Sequence, residues 1–126
     1  EENSGVYIRI PAPNVPNALQ QADSQGHEIQ IDPRGFDSAT NSEGHPLKIT
    51  GAIYDLQAPS ASTAVQIGTW NTYVIEANGP GIRVTLNGQL VNDYQSTRNL
   101  SGHIALQAHD FSSRTQFRNI QVKKLQ

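Results

Sequence analysis

Short runs of alternating apolar and polar residues, separated by glycine- and proline-rich stretches, set the pattern of this chain. GVYIRI at 5–10 places Val6, Ile8 and Ile10 on one face and Tyr7 and Arg9 on the other, which predicts a strand almost from the first residue. HEIQID at 27–32 alternates again, with Ile29 and Ile31 inward and Glu28, Gln30 and Asp32 sharing the opposite face. GAIYDL at 51–56 predicts a short strand with Ile53 and Tyr54 facing opposite ways. The runs at 70–77, 82–86 and 89–94 predict a three-strand meander, because Asn87-Gly88 is a type I′ hairpin signal and Asn78-Gly79-Pro80-Gly81 closes the preceding hairpin. GHIALQAH at 102–109 puts Ile104, Leu106 and Ala108 on one face and Ala105, Gln107 and His109 on the other. TQFRNIQVKKL at 115–125 follows as a long last strand to pair with it.

The connections at 11–26, 33–48 and 59–69 are polar and carry most of the prolines, with one helical turn expected at 17–22. Helical periodicity is otherwise lacking. The expectation is therefore an all-β, two-sheet antiparallel sandwich of about eight strands. Its core is predicted to contain Val6, Ile8, Ile29, Ile31, Ile53, Val74, Val84, Leu86, Ile104, Leu106, Ile120 and Val122. Trp70, sharing the parity of Val74, is assigned to that core, and Tyr7 and Tyr73 to the polar face.

Composition narrows the function. A chain of 126 residues is one domain. A net charge of -2 gives no electrostatic case for nucleic acid or an anionic membrane. The absence of cysteine excludes a disulfide framework, a thiolate metal site and a cysteine nucleophile. No run approaches the ~20 apolar residues of a membrane span. The chain opens at Glu1 without a methionine, so processing or trimming upstream is expected.

The polar faces carry the candidate chemistry: Arg9, Glu28, Gln30, Tyr54, Asn71, Gln107 and His109. Glu28 is either a solvated or salt-bridged strand carboxylate or, from its place beside Gln30 on a non-core face, a candidate acid or base. At His109 an imidazole is well suited to shuttle protons near neutral pH. Arg9 either grips a ligand or pairs with Glu28. Retaining glycosidase chemistry is disfavoured: Glu28-Ile29-Gln30-Ile31-Asp32-Pro33 has a glutamine where a second carboxylate is wanted. Gly79, Gly81 and Gly88 make no phosphate loop, because no helix follows them. No cofactor is expected; a divalent metal held by Glu28, His109 and Asp55 is the one candidate, and it lacks a spacing signature.

The segments NSGVYIR (3–9), HEIQI (27–31), TGAIYDLQAP (50–59), TWNTYVIEANGPGIRVTLNG (69–88) and GHIALQAHDFSSRTQFRNIQVKKL (102–125) together resemble the 3-keto-disaccharide hydrolase domain family. That resemblance implies a jelly roll of the concanavalin A-like, LamG-like type. It also implies a bacterial carbohydrate-active domain, periplasmic or extracellular, that cleaves 3-keto-glycosides by acid/base-assisted elimination and hydration. The family's opening strands have no counterpart before Asn3, so residues 1–126 are expected to form a single, N-terminally incomplete jelly roll. Glu28 and His109 are then the catalytic candidates, and Arg9, Gln30, Tyr54, Asn71 and Gln107 the substrate-binding ones. The alternative is a non-catalytic carbohydrate-binding or structural β-sandwich module, completed by a partner strand or an upstream segment at an open sheet edge.

Overall fold

The computed structural model describes residues 2–61 and 63–126; Ser62, in the third connection, lies outside them. In chain order the elements are β1 (Ser4–Ile10), α1 (Ala18–Gln25), β2 (His27–Ile31), β3 (Tyr73–Asn78), β4 (Gly81–Leu86), β5 (Gln89–Gln95) and β6 (His103–Leu106). They form two antiparallel three-stranded sheets, β2-β1-β6 and β3-β4-β5, with one short helix.

Side chains of both sheets meet in one core of Ile8, Ile29, Ile53, Ile82, Val84, Leu86 and Val91. Burying each such side chain is worth ~1.5–3 kcal/mol, so this contact carries most of the fold's stability. Asn87 and Gly88, at φ 50° and 84°, make the tight turn between β4 and β5 in the left-handed backbone their sequence predicts. The β3–β4–β5 meander is thus as expected, with one change of face. Tyr73, Ile75 and Ala77 pack on the core, whereas Val74 is 59% exposed. The Tyr73 hydroxyl donates to the Gln30 carbonyl at 2.8 Å, tying the two sheets together.

Two bulges alter the simple alternation. In β1 the register against β6 shifts between Tyr7 and Ile10, and Arg9 has φ 55°. The extra residue sends Ile10 to the face of Tyr7, where both pack with Ala22 of α1. A second shift lies between Val84 and Thr85 against β5, so consecutive residues Val91 and Asn92 are both fully buried.

The expected strand at 51–56 is instead a pair of isolated bridges at Ile53, to Ile29 and to Gln57. Positive φ at Gly51 (86°) and Asp55 (57°) ends the extended backbone on either side. Ile53 still enters the core. This connection zips along the outer edge of β2 through Gln30 N to Ala52 O (3.0 Å), Gly51 N to Gln30 O (3.0 Å) and Tyr54 N to Glu28 O (2.9 Å). The helical turn expected at 17–22 runs further, as α1.

The end of the chain departs most from expectation. Strand β6 stops at Leu106, and residues 115–125 join no ladder among the described residues. Ile104, Leu106, Ile120 and Val122 are 52%, 39%, 62% and 75% exposed, because no described strand lies over them. Trp70 is likewise half exposed, with the Arg118 guanidinium 3.8 Å from its ring centroid. Among the described residues, no helix is long and apolar enough to cross a membrane.

Asn92 fastens the long connection to the sandwich. Its Nδ2 donates to the carbonyls of Gly51 (3.2 Å), Gln57 (3.2 Å) and Ala58 (3.4 Å), and its Oδ1 accepts from Gln57 Nε2 at 2.8 Å. Truncation leaves these buried groups unpaired, so Asn92→Ala should lower stability by about 2–4 kcal/mol, read from the midpoint of urea denaturation.

Candidate active site

The register of the β2-β1-β6 sheet sets side chains in rows on the face away from the core. Gly5 stands opposite Gln30 on one side, and on the other the Gln107 N–H donates to the Gly5 carbonyl at 2.9 Å. Gln30, Gly5 and Gln107 therefore form one row. Tyr7 stands opposite Glu28 and Ala105, forming the next. With strands ~4.8 Å apart, the two glutamines lie about 10 Å apart across a residue with no side chain. The result is a notch floored by glycine and walled by amides, and the Glu28 carboxyl occupies it.

Glu28 leans into that notch. A Cβ on Gly5 would land on Glu28 Oε1 and lie 2.7 Å from its Cγ, so the glycine is what admits the carboxyl. Glu28 and Gln30 are 7% and 2% exposed. Oε1 atoms of Glu28, Gln30 and Gln107 are all buried without a hydrogen-bond partner. Three such acceptors around one glycine are uncommon, because buried polar groups are nearly always paired. Burial pushes the Glu28 carboxyl up to about 7; the Tyr7 hydroxyl and the His109 side chain pull it back, while the charges of Asp23 and Asp55 push it further.

His109 follows β6 on the same parity as Gln107, in the loop rather than in the strand. It is exposed, and its Nδ1 lies 2.7 Å from Asp110 Oδ2. The histidine, followed by the Ser112 and Ser113 contacts, holds the Asp110 carboxyl well below the usual carboxylate range. A cavity of about 260 Å³ opens beside this pair, lined by Asn3, Gln107, His109, Asp110 and Phe117 among others.

The remaining candidates divide. Tyr54 flanks Glu28, since its N–H donates to the Glu28 carbonyl. Its hydroxyl accepts a hydrogen bond from Lys48 Nζ at 3.0 Å, which leaves the phenolic proton available to a ligand. Lys48 also donates to Asp55 Oδ1 at 2.9 Å; burial opposes its charge, but these two bonds prevail and raise its pKa. Arg9 does not pair with Glu28 among the described residues. The bulge turns it towards His27, and its Nη1 is buried without a partner. Burial lowers its pKa. Asn71 is not in this group: it is exposed, and its Oδ1 accepts from Asn87 Nδ2 at 2.9 Å, bracing the β4–β5 turn in the other sheet. Among the described residues no group of three or more His, Cys, Asp or Glu is arranged to hold a metal ion.

Sequence reasoning missed three residues of the site. Gly5 was read only as a strand start, although its place opposite Gln30 is what makes the notch. Tyr7, on the polar parity, was expected only to stack on a pyranose ring or to roof the sheet, with no role for its hydroxyl. Asp23 arrives on α1, and its hydrogen bond to Tyr7 has no sequence signal.

No functionally curated protein matches the chain. Two solved structures from Parabacteroides distasonis ATCC 8503, each described as a "putative glycosyl hydrolase", are similar to it. One has 29% identity and a TM-score of 0.58, over 74% of this chain and 44% of that one. The other has 18% identity and a TM-score of 0.58, over 74% and 42%, and its likeness is one of fold. This chain thus spans less than half the length of either. The sequence model of the 3-keto-alpha-glucoside-1,2-lyase-like domain matches residues 1–123, and the chain belongs to that family.

Proposed function

We propose that this domain, a jelly roll of the concanavalin A-like type, cleaves 3-keto-glycosides by elimination and hydration at the notch over Gly5. The observation that carries the reading is Glu28: a carboxyl buried beside unpaired amides, with its proton poised to leave near neutral pH. A C3 ketone acidifies the neighbouring C2–H. The Glu28 carboxylate takes that proton, the electron pair forms a C1=C2 double bond, and the C1–O bond breaks. His109 gives the departing oxygen its proton. Water then adds across C1=C2 to yield the free 3-keto sugar. Gln30 and Gln107 grip ring hydroxyls from either side, and Tyr54 donates to the oxygen on which charge develops. With this reading goes a periplasmic or extracellular location in a bacterium.

A second reading has its own support. Ile104 and Leu106 are exposed on the edge strand β6, and Ile120 and Val122 are exposed further along the chain, as expected of a carbohydrate-binding or structural module completed by a partner strand.

Release of aglycone from a 3-keto-glucoside separates the two. Glu28→Gln and His109→Ala should each lower the rate ~10²–10⁴-fold, whereas Gln30→Ala should mainly raise KM. No turnover by wild type, or full turnover by both of the first two variants, leaves the binding reading.

Stability supplies an independent check on Glu28. The unfolded chain releases this proton near 4.5 and the folded protein near 7, so the folded state binds more protons between those values and loses stability as pH rises through them. Glu28→Gln has no proton to lose. It should match wild type below pH 4.5 and exceed it above pH 7 by up to about 3 kcal/mol, measured by urea denaturation across that range. Activity lost in a protein made more stable cannot be ascribed to unfolding.

A further inference from the structure

Tyr7 lies between two acids. It stands opposite Glu28 in the β1–β2 ladder, and its hydroxyl donates to Asp23 Oδ1 at 2.7 Å. Asp23 is fixed there from two sides. Its neighbour Ala22 packs against Tyr7 and Ile10, and Arg98 Nη1 donates to the carbonyls of Asp23 (2.8 Å) and Gly26 (2.9 Å), holding the end of α1 on the sheet. A hydroxyl has one proton to give. Here Asp23 accepts it at 2.7 Å, and the Glu28 carboxyl, whose Oε1 is buried and unpaired, competes for it.

We propose that Asp23 and Tyr7 are positioning residues for Glu28, with Asp23 engaging the Tyr7 hydroxyl proton that the Glu28 carboxylate would otherwise take. The proposal rests on the reading of Glu28 as the base and assigns two further residues to it. Glu28 with a committed tyrosine beside it is a stronger base than Glu28 with a hydrogen bond of its own. The groups that face Glu28 are Tyr7 on β1, Asp23 on α1, His109 beyond β6 and Asp55 in the connection along β2. Tyr7 and His109 favour its charged form, and Asp23 and Asp55 oppose it. Substitutions at the two ends of one hydrogen bond should therefore move Glu28 in opposite directions. If the bond only held the helix down, breaking either end would loosen α1, admit water to Glu28 and shift it one way.

The test is a carbon-13 NMR titration of the chain labelled at glutamate carboxyls, the Glu28 resonance being the one absent from Glu28→Gln. Wild type should titrate near 7. Asp23→Asn should lower the midpoint and Tyr7→Phe should raise it, each by about half to one pH unit. Asp23→Glu, which keeps the charge and the acceptor, should restore the wild-type midpoint. Asp23 is exposed, so its variants disturb no core and remain informative even if Tyr7→Phe unfolds. Shifts in the same direction, or no shift in Asp23→Asn, overturn the proposal. The acid limb of kcat/KM on a 3-keto-glucoside should follow the same two directions. If the titration moves and the limb does not, Asp23 and Tyr7 still govern the Glu28 carboxyl, and the assignment of Glu28 as base is what fails.

Discussion

Burial of β2 on both faces is the constraint on which the rest of this structure depends. On one side Ile29 seals the core between the sheets; on the other α1 lies over Tyr7 and Ile10. A strand placed so cannot keep its polar residues charged at ordinary cost. His27 is held neutral, pushed down to about 4 by burial and then by Arg98 and Arg9, with Nε2 on Ser96 Oγ at 2.6 Å. Its sequence neighbour Glu28, on the opposite face, holds its proton up to about 7. One burial thus produces an imidazole without a charge and a carboxyl with a proton. The pH dependences that they lend the fold have opposite signs: the folded state gains stability between pH 4 and 6.5 through His27 and loses it between 4.5 and 7 through Glu28.

A glycine at the centre of the same sheet makes room for that carboxyl. Gly5 gives up packing on the face of Gln30 and Gln107, and the space it leaves admits the Glu28 carboxyl. The stability lost at a strand glycine, ~0.5–1 kcal/mol relative to alanine, is small beside the core between the sheets. Two of the chain's left-handed non-glycine residues shape the strands of this sheet. Arg9 and Asp55 both hold positive φ, the first bulging β1 and the second ending the connection that edges β2. Left-handed conformation at a non-glycine residue persists only where its surroundings enforce it.

The chain belongs to the 3-keto-alpha-glucoside-1,2-lyase-like family, and the reaction proposed for it makes definite demands. A 1,2-elimination needs a base of near-neutral pKa, groups to hold hydroxyls and a donor where negative charge forms, and does not need a paired carboxylate. Glu28, the two glutamines and Tyr54 are of those types. The glutamine at position 30, which argues against double displacement, is at home in such a site.

Much was legible in the sequence wherever the cause is local. Asn87-Gly88 specified its turn because few residues tolerate two successive positive φ values, and the alternation at 5–8 and 27–31 assigned the faces correctly because those strands are regular. Glu28, Gln30 and Gln107 share a face for the same reason. What the sequence could not decide depends on partners far along the chain. The face of β3 follows from which side meets the other sheet, so Val74 and Tyr73 exchanged roles. Residues 115–125 alternate as a strand should, yet alternation creates only the capacity for a ladder, and no described strand supplies the other half. Arg9 and Ile10 changed faces at a bulge that the tertiary approach of Gly102 accommodates: a Cβ there would lie 2.5 Å from the Ile10 carbonyl oxygen. The hydrogen bond from Tyr7 to Asp23 joins a strand to a helix across residues whose separation carries no periodic signal. Period-two patterning says which side chains share a face; only the packed structure says which faces are covered, and burial is what turns a polar face into chemistry.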